Sequence, residues 1–163
     1  MRRIAWKFSF LIKSTNQHGV HSPFVYFFLT KGIYNSSHKY KNLSKNSRIL
    51  QSTLDYFHVE NVIGISANRM NNLHTNPRKK KYKKLYYIPD LTYYDEKSFQ
   101  TLISSVNEDS ILYINNPYKS IKTLNNWNNL CRSNLFNVSI DFFVSGLLFK
   151  RSEQQKEHFR LRV

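Results

Sequence analysis

The sequence predicts an α/β domain with a mainly parallel sheet, preceded by N-terminal helices and ending in an antiparallel hairpin. Short apolar runs alternate with amphipathic segments of helical spacing, a pattern typical of parallel strands joined by crossover helices. Glycine and proline are scarce, at 4 each, which disfavours a turn-rich all-β architecture. The last two apolar runs are separated by only three residues, a length that suits a hairpin connection.

The first helix is predicted from an apolar stripe that recurs with helical spacing. Its members are Ile4, Phe8, Leu11 and Ile12. One interpretation is that this stripe docks the helix on the domain's own core. The other is that the helix lies on an anionic membrane surface, since the basic residues Arg3, Lys7 and Lys13 fall off the stripe.

Two further helices are predicted in the N-terminal third. Ser22-Pro23 predicts the start of a buried helix over Phe24–Lys31, because serine is a good N-cap and proline suits the first helical turn. Polar residues make Asn35–Ser47 a predicted loop, and Ser47 is expected to cap a third helix that runs through Tyr56.

The remaining elements continue the alternation of strands and helices. Strands are predicted over Asn61–Ser66, Leu85–Ile88, Ile111–Ile114, Val138–Phe143 and Leu147–Lys150, and helices over Asp95–Val106 and Ser120–Cys131. The last two strands are expected to be joined by Val144-Ser145-Gly146. Residues 1–57 are therefore expected to form a helical segment that packs on an α/β core of residues 58–163, within a single domain.

The charge balance is strongly basic. There are 25 lysines and arginines against 10 acidic residues, a formal net charge of +15, and no acidic residue precedes Asp55. Such an excess attracts polyanions, whether nucleic acid, anionic lipid or an acidic protein. The alternative is compositional drift in a chain rich in lysine and asparagine.

Cysteine content and hydropathy bear on the compartment. The single cysteine, Cys131, excludes an internal disulfide and fits a reducing environment. No apolar run approaches the ~20 residues that a transmembrane helix needs. We therefore expect a cytoplasmic protein without a transmembrane segment.

Three segments resemble one known family. Residues 18–26 read HGVHSPFVY, residues 108–116 read EDSILYINN, and residues 139–162 begin with SIDFF and end with EHFRLR. These segments resemble class I S-adenosylmethionine-dependent methyltransferase-like proteins that carry an N-terminal HGVHSPFV segment. The resemblance implies a Rossmann-like sheet with an antiparallel last strand and S-adenosylmethionine as the cofactor of any active member. On this interpretation the chain is a truncated, Rossmann-like fold of the class I methyltransferase type.

The chain departs from that family where the cofactor is expected to bind. In such folds the first strand runs into a glycine-containing turn, because a bare backbone lets the ligand approach closely. Here Gly64 is expected within the strand, and Ser66 and Asn68 occupy the turn. The resemblance makes Ser66, Asn68, Asp90 and Asn115 the positions of a vestigial cofactor site.

Much of the acidic chemistry of the family is also missing. Only 18 residues separate Ser66 from Leu85, none of them acidic, whereas one βαβ unit needs about 30 residues. The half of the fold that would hold the ribose is therefore expected to be absent. Asn115 and Asn116 stand where the family has paired aspartates, and neutral amides neither bind hard cations well nor act as bases. Asp90 remains as one carboxylate.

A basic segment is the positive candidate for binding. It comprises Arg78, Lys79, Lys80, Lys81, Tyr82, Lys83 and Lys84. Its cations suit phosphates, and Tyr82 with the following Tyr86 and Tyr87 would stack on unpaired bases of RNA. The alternative is a solvated loop that closes the truncated sheet.

No catalytic residue and no metal site are predicted elsewhere. His18 and His21 lie three apart without an accompanying cysteine or acid, which favours a structural hydrogen-bonding role. Glu153 and Glu157 are expected on a short helix with a salt-bridged surface. Cys131 has no nearby histidine in the sequence to activate it as a nucleophile.

Three functions are compatible with these observations. The first is a degenerate methyltransferase-like protein that is catalytically inactive, binds no cofactor and survives as a basic interaction scaffold for RNA, another polyanion or a protein partner. The second is an active methyltransferase with an unusual or partner-completed site for S-adenosylmethionine. The third is a basic protein associated with nucleic acid or the ribosome. Whether the chain is an enzyme stays open at this point.

Overall fold

The computed structural model describes residues 2–64, 82–94 and 96–163, which form a six-stranded mixed sheet covered by helices. The α-helices are α1 (Arg2–Lys13), α2 (Pro23–Phe27), α3 (Lys45–Phe57), α4 (Glu96–Ser105) and α5 (Ile121–Arg132). The strands are β1 (Asn61–Ile63), β2 (Lys84–Ile88), β3 (Ser110–Asn115), β4 (Val138–Asp141), β5 (Ser145–Phe149) and β6 (Glu157–Arg160).

The sheet has the order β1-β2-β3-β5-β4-β6. Pairs β1–β2, β2–β3 and β4–β6 are parallel, whereas β5 is antiparallel to both of its neighbours. The predicted α/β class is confirmed at this level: the sheet is mostly parallel and contains an antiparallel C-terminal hairpin.

Helices α2 and α3 both begin at serine N-caps, and the cap of α3 is not the serine that was predicted. Ser22 caps α2 through a hydrogen bond from the amide of Val25, with Pro23 in the first turn, as predicted. Beyond α2 the helix continues as a π-helix, Phe28–Tyr34. The predicted cap of α3 is wrong by three residues, because Ser44 accepts the amide hydrogen bond and Ser47 donates it.

Gly64 lies just after β1 and not within the strand as predicted. Its φ is +92°, and a Cβ at this position would lie 2.4 Å from the carbonyl oxygen of Tyr87 on β2. A glycine is therefore required here by both dihedral angle and space.

The C-terminal hairpin is displaced from the predicted bounds. Its connection is Phe142–Val144, with Phe143 at a φ of +67°, and β5 already begins at Ser145. Gly146 is needed inside β5, because a Cβ there would lie 2.4 Å from the indole of Trp127.

Strand β6 replaces the short helix predicted around Glu153 and Glu157. It pairs in parallel with β4, with Phe159 opposite Ile140. Glu153 forms an exposed ion pair with Arg151, so a local ion pair is present without the helix.

The core occupies both faces of the sheet. On β3, Ile111 and Tyr113 belong to a cluster that includes Phe28 of the π-helix and Phe57 of α3. Leu112 and Ile114 point to the other face, where a second cluster includes Trp127 of α5 and Ile103 of α4. This alternation is the period-2 pattern of a strand buried on both sides.

Two of the segments that carry the family resemblance contact each other. The amide of Gln154 donates to the hydroxyl of Ser22 at 2.6 Å. The guanidinium of Arg151 lies 4.0 Å from the ring centroid of Phe24, whose ring also packs edge-on against Phe149. These motif residues therefore join the N-terminal helices to the C-terminal part of the sheet.

Helix α1 docks through a face that the periodicity did not select. Phe10 is buried against Tyr118 and Phe143, and Trp6 packs beside Phe10. The predicted docking stripe, Ile4, Phe8, Leu11 and Ile12, is exposed. The interpretation that this stripe faces the domain's own core is therefore wrong.

Candidate functional site

The carboxyl ends of five strands define one edge of the sheet. Because β1, β2, β3, β4 and β6 run in the same direction, the residues that follow them gather at this edge. In open α/β sheets ligands bind in the crevice outside these strand ends. The predicted site residues Asp90 and Asn115 both lie here, whereas Ser66 and Asn68 fall outside the described residues.

The carboxylate of Asp90 is held by Thr92 of its own loop and by Lys119 of another loop. Its carboxylate accepts a hydrogen bond from the amide of Thr92 at 2.8 Å and forms a salt bridge with Lys119. Burial acts to raise the pKa of Asp90, but the bonds from Lys119 and Thr92 outweigh it and lower the pKa to about 2. The carboxylate is thus ionised, yet both oxygens already have partners.

Asn115 is also occupied by neighbours. Its Oδ1 accepts a short hydrogen bond from Asn46, and its Nδ2 donates to the carbonyl of Pro89 at 2.9 Å. The phenol of Tyr113 donates to the carbonyl of Asn46 at 3.0 Å. The N-terminal turn of α3 is in this way fastened over the end of β3.

Asn46 and Lys119 are the residues that sequence reasoning missed at this edge. Asn46 lies in a polar stretch, and no spacing or motif links it to Asn115. Lys119 lies three residues beyond Asn116, so its proximity to Asp90 depends on the path of the loop between β3 and α5. Neither residue carried a sequence signal.

Asn116 adopts a left-handed backbone. Its φ is +51°, a conformation that asparagine tolerates better than most residues. Its amide donates to the carbonyl of Val144 at 2.9 Å, and its side chain accepts from Arg3 of α1 at 2.9 Å. The second of the two asparagines is therefore also engaged in structural contacts.

The basic segment is described only at its end. Arg78, Lys79, Lys80 and Lys81 lie outside the described residues. Tyr82 is 3% exposed and accepts a hydrogen bond from Arg151, so its predicted stacking on bases is wrong. Tyr86 and Tyr87 are buried as well. Lys83 and Lys84 are exposed, and Lys83 pairs with Asp109 at 3.2 Å.

A cavity of about 420 Å³ opens at the same edge, between α1 and the ends of β4 and β6. Its apolar lining is formed by Ile4, Phe10, Leu11, Phe142, Phe143, Val144, Leu161 and Val163. Its charged lining is formed by Arg3, Lys7, Lys45 and Arg162, and none of the acidic side chains that the structure describes lines it. Such walls suit a ligand with an apolar part and an anionic group.

The cations of this cavity repel one another. Burial lowers the pKa of Lys45, and nearby Arg48 and Lys7 lower it further. Lys45 is also the first residue of α3, where the helix dipole disfavours positive charge. An anion at this position would relieve both effects.

Metal ligation has no support in the described part of the chain. His18 and His21 are exposed, and residues 2–64, 82–94 and 96–163 contain no group of three histidine, cysteine or acidic side chains placed to hold an ion. Cys131 is also a poor nucleophile, because burial raises the pKa of its thiol to about 12.

Comparison with known proteins supplies no family. No protein-family model, no curated protein and no solved structure matches this chain. Within the described residues, no helix has the length and apolar character needed to cross a membrane. The function must therefore be argued from the site itself.

Proposed function

We propose that this chain is a degenerate methyltransferase-like protein that has lost catalysis and serves as a basic interaction scaffold. The observation that carries the proposal concerns the edge of the sheet at the carboxyl ends of β2 and β3, which we call the carboxyl edge. The polar side chains there are already bonded to other residues of the chain. The side chain of Asn115 is bonded to Asn46 and Pro89, and Asp90 is paired with Lys119. A ribose or a methyl acceptor at this edge would have to displace these contacts.

The sheet supports the methyltransferase-like part of the proposal. The sequence resemblance implies a Rossmann-like sheet with an antiparallel last strand. Strand β5 is antiparallel to both of its neighbours, whereas the last strand of the chain, β6, is parallel to β4, so the agreement is limited to β5. The segments that carry the resemblance make contacts internal to the fold, as between Ser22 and Gln154. Such internal contacts stabilise a fold without any need for catalysis.

The loss of catalysis is supported by the chemistry left at the edge. Asp90 has a pKa of about 2 and two bonded oxygens, so it is a poor general base near neutral pH. Asn115 and Asn116 carry no titratable group. The basic part of the proposal is supported by the net charge of +15 and by the four basic residues that line the cavity beside α1.

Calorimetric titration with S-adenosylmethionine and S-adenosylhomocysteine tests the proposal. We expect no saturable heat with either compound, because the polar atoms of Asn115 and Asp90 are already bonded within the fold. A cooperative unfolding transition of the same preparation serves as the control that the protein is folded. Micromolar affinity for either compound would overturn the proposal and favour an active methyltransferase.

A cofactor site that is completed by a second copy of the chain has to be tested in a second titration series. The titration is therefore repeated over a wide range of protein concentration. Affinity that appears only at high concentration would identify a shared cofactor site, which also contradicts a chain without cofactor binding.

A further inference from the structure

Helix α1 has two apolar faces, and one of them packs on the fold, while no core cluster of residues 2–64, 82–94 and 96–163 includes the other. Trp6 and Phe10 pack with Tyr118 and Phe143 of the sheet side. The other face, which we call the outer stripe, comprises Ile4, Phe8, Leu11 and Ile12, and these residues are 75%, 68%, 43% and 71% exposed. The described residues place no core cluster over the outer stripe.

The two faces lie on opposite sides of the helix. At about 100° per residue, the outer stripe covers an arc of about 100° and points away from Trp6 and Phe10. Because the helix is anchored by those two aromatic residues, the outer stripe is presented to the surroundings without unfolding. Its apolar side chains are adjacent to one another and not scattered, which is the arrangement that marks an interaction surface.

Cations border the outer stripe on both sides. Lys7 lies on one flank and Arg2 on the other, whereas Lys13 lies closer to the docked face, beside Trp6; all three are exposed. The helix contains no acidic residue. Arg3, Lys45 and Arg162 add positive charge around the adjoining cavity, which Ile4 and Leu11 of the stripe also line.

We propose that the outer stripe of α1 binds the surface of an anionic lipid bilayer. An apolar arc flanked by cations fits the boundary between acyl chains and phosphate headgroups, where each part of the helix meets its preferred surroundings. The helix has 12 residues, so it lies in the interface and does not cross it. The proposal does not depend on whether the carboxyl edge binds a cofactor.

Charge complementarity favours a bilayer over the other occupants. A second copy of the chain would bring Arg2, Lys7 and Lys13 against their own counterparts, which repel. A nucleic acid would neutralise the cations but would leave Phe8 and its neighbours in water. An anionic bilayer satisfies both the charges and the apolar side chains.

Vesicle flotation with the whole chain tests the proposal. We expect the protein to float with vesicles of phosphatidylcholine and phosphatidylglycerol and to stay in solution with phosphatidylcholine alone. Phe8→Ser should weaken binding to the anionic vesicles at least about tenfold, since it removes one large side chain from the interface. Ile121→Ser is the matched control, because Ile121 is a 47% exposed apolar residue at the start of α5.

A second pair of variants separates local charge from net charge. One variant carries Arg2→Gln, Lys7→Gln and Lys13→Gln, and the control carries Lys41→Gln, Lys97→Gln and Lys122→Gln at other exposed positions. Both lose the same charge, and only the α1 variant should lose vesicle binding.

Several outcomes would overturn the proposal. One is the absence of wild-type flotation with anionic vesicles at low salt. Another is equal binding by wild type and Phe8→Ser when both show the same circular dichroism spectrum, which would leave a purely electrostatic attraction. A dimer in sedimentation equilibrium that Phe8→Ser dissociates, without vesicle binding, would assign the stripe to self-association.

Discussion

Asp141, at the end of β4, is a buried carboxylate that the fold satisfies completely. It accepts hydrogen bonds from the phenol of Tyr118 at 2.7 Å, from the indole of Trp127 at 3.2 Å and from the amide of Phe143 at 2.8 Å. Burial raises the pKa of Asp141, and these three donors act in the opposite direction. The residue therefore ties α5 and the hairpin connection to the sheet, and we assign it a structural role.

Asp141→Asn should destabilise the protein by about 1–3 kcal/mol. An amide offers one acceptor oxygen, so in either orientation its NH₂ group faces the N–H of Trp127 or of Phe143 and leaves that buried donor unpaired. Urea unfolding of wild type and variant measures the difference.

Glu153→Gln is the control for the loss of a negative charge. Glu153 is 60% exposed and forms an ion pair with Arg151, which Gln154, Tyr82 and Phe24 also hold in place, so its replacement should cost less than about 1 kcal/mol. Equal effects of the two substitutions would show that Asp141 contributes through charge alone and contradict the hydrogen-bond argument.

At the scale of elements, the two serine caps differ in what else they hold. Ser22 is buried and both caps α2 and accepts from Gln154. Ser44 is exposed and caps α3 through the amide of Ser47 at 3.2 Å, with the hydroxyl of Ser47 also beside it. Comparing alanine variants of Ser22 and Ser44 therefore separates the stability due to an N-cap from the stability due to the long-range contact with Gln154.

Ser22→Ala should cost about 2 kcal/mol, and Ser44→Ala about 1 kcal/mol or less. The larger loss arises because removal of the Ser22 hydroxyl also leaves the amide of Gln154 without its acceptor. Thermal unfolding of the two variants provides the measurement. If both variants lose the same stability, the Ser22–Gln154 contact contributes nothing beyond the cap.

Local patterns predicted most elements, and non-local pairing decided the others. Apolar runs located β2, β3 and the hairpin strands, and Ser22-Pro23 located the start of α2. Strand β6 was missed because it has one buried apolar residue, Phe159, and exists through its pairing with β4. The docking face of α1 was missed because the outer stripe is the longer apolar pattern, while Trp6 and Phe10 are only a pair.

The candidate site shows the same division. Local patterns located the strands that Asp90 and Asn115 terminate or follow, while the assignment of both residues to a cofactor site came from the family resemblance and stays a prediction. Their partners Asn46 and Lys119 come from other elements, at separations of 69 and 29 residues. No pattern in the sequence joins such pairs, because the contact is created by the packing of α3 and the path of the loop before α5.

At the scale of the whole molecule, the net charge of +15 should give sequence-independent binding to single-stranded RNA. We expect filter retention of RNA at low salt that falls steeply as salt is added. Replacing Arg78, Lys79, Lys80 and Lys81 with glutamine should lower the slope of log K against log salt by about 3, since each phosphate contact contributes about 0.7.

The control for this experiment removes the same charge elsewhere. Lys31→Gln, Lys41→Gln, Lys97→Gln and Lys122→Gln change four exposed lysines and should leave the slope nearly unchanged. Equal slopes for both variants would show that the attraction is spread over the surface and not concentrated in the basic segment. No retention of wild type at low salt would remove RNA as a partner.

The contact between the two ends of the chain has a consequence for biosynthesis. The backbone of Thr15 bonds to Arg160 and Arg162 at 2.9 Å, and β6 completes that edge of the sheet. A nascent chain therefore cannot form these bonds of Thr15, or pack Phe24 against Phe149 and Arg151, until residues 149–162 have emerged from the ribosome. During that interval Phe24 lacks these C-terminal partners, so the unfinished polypeptide exposes aromatic surface that chaperones recognise.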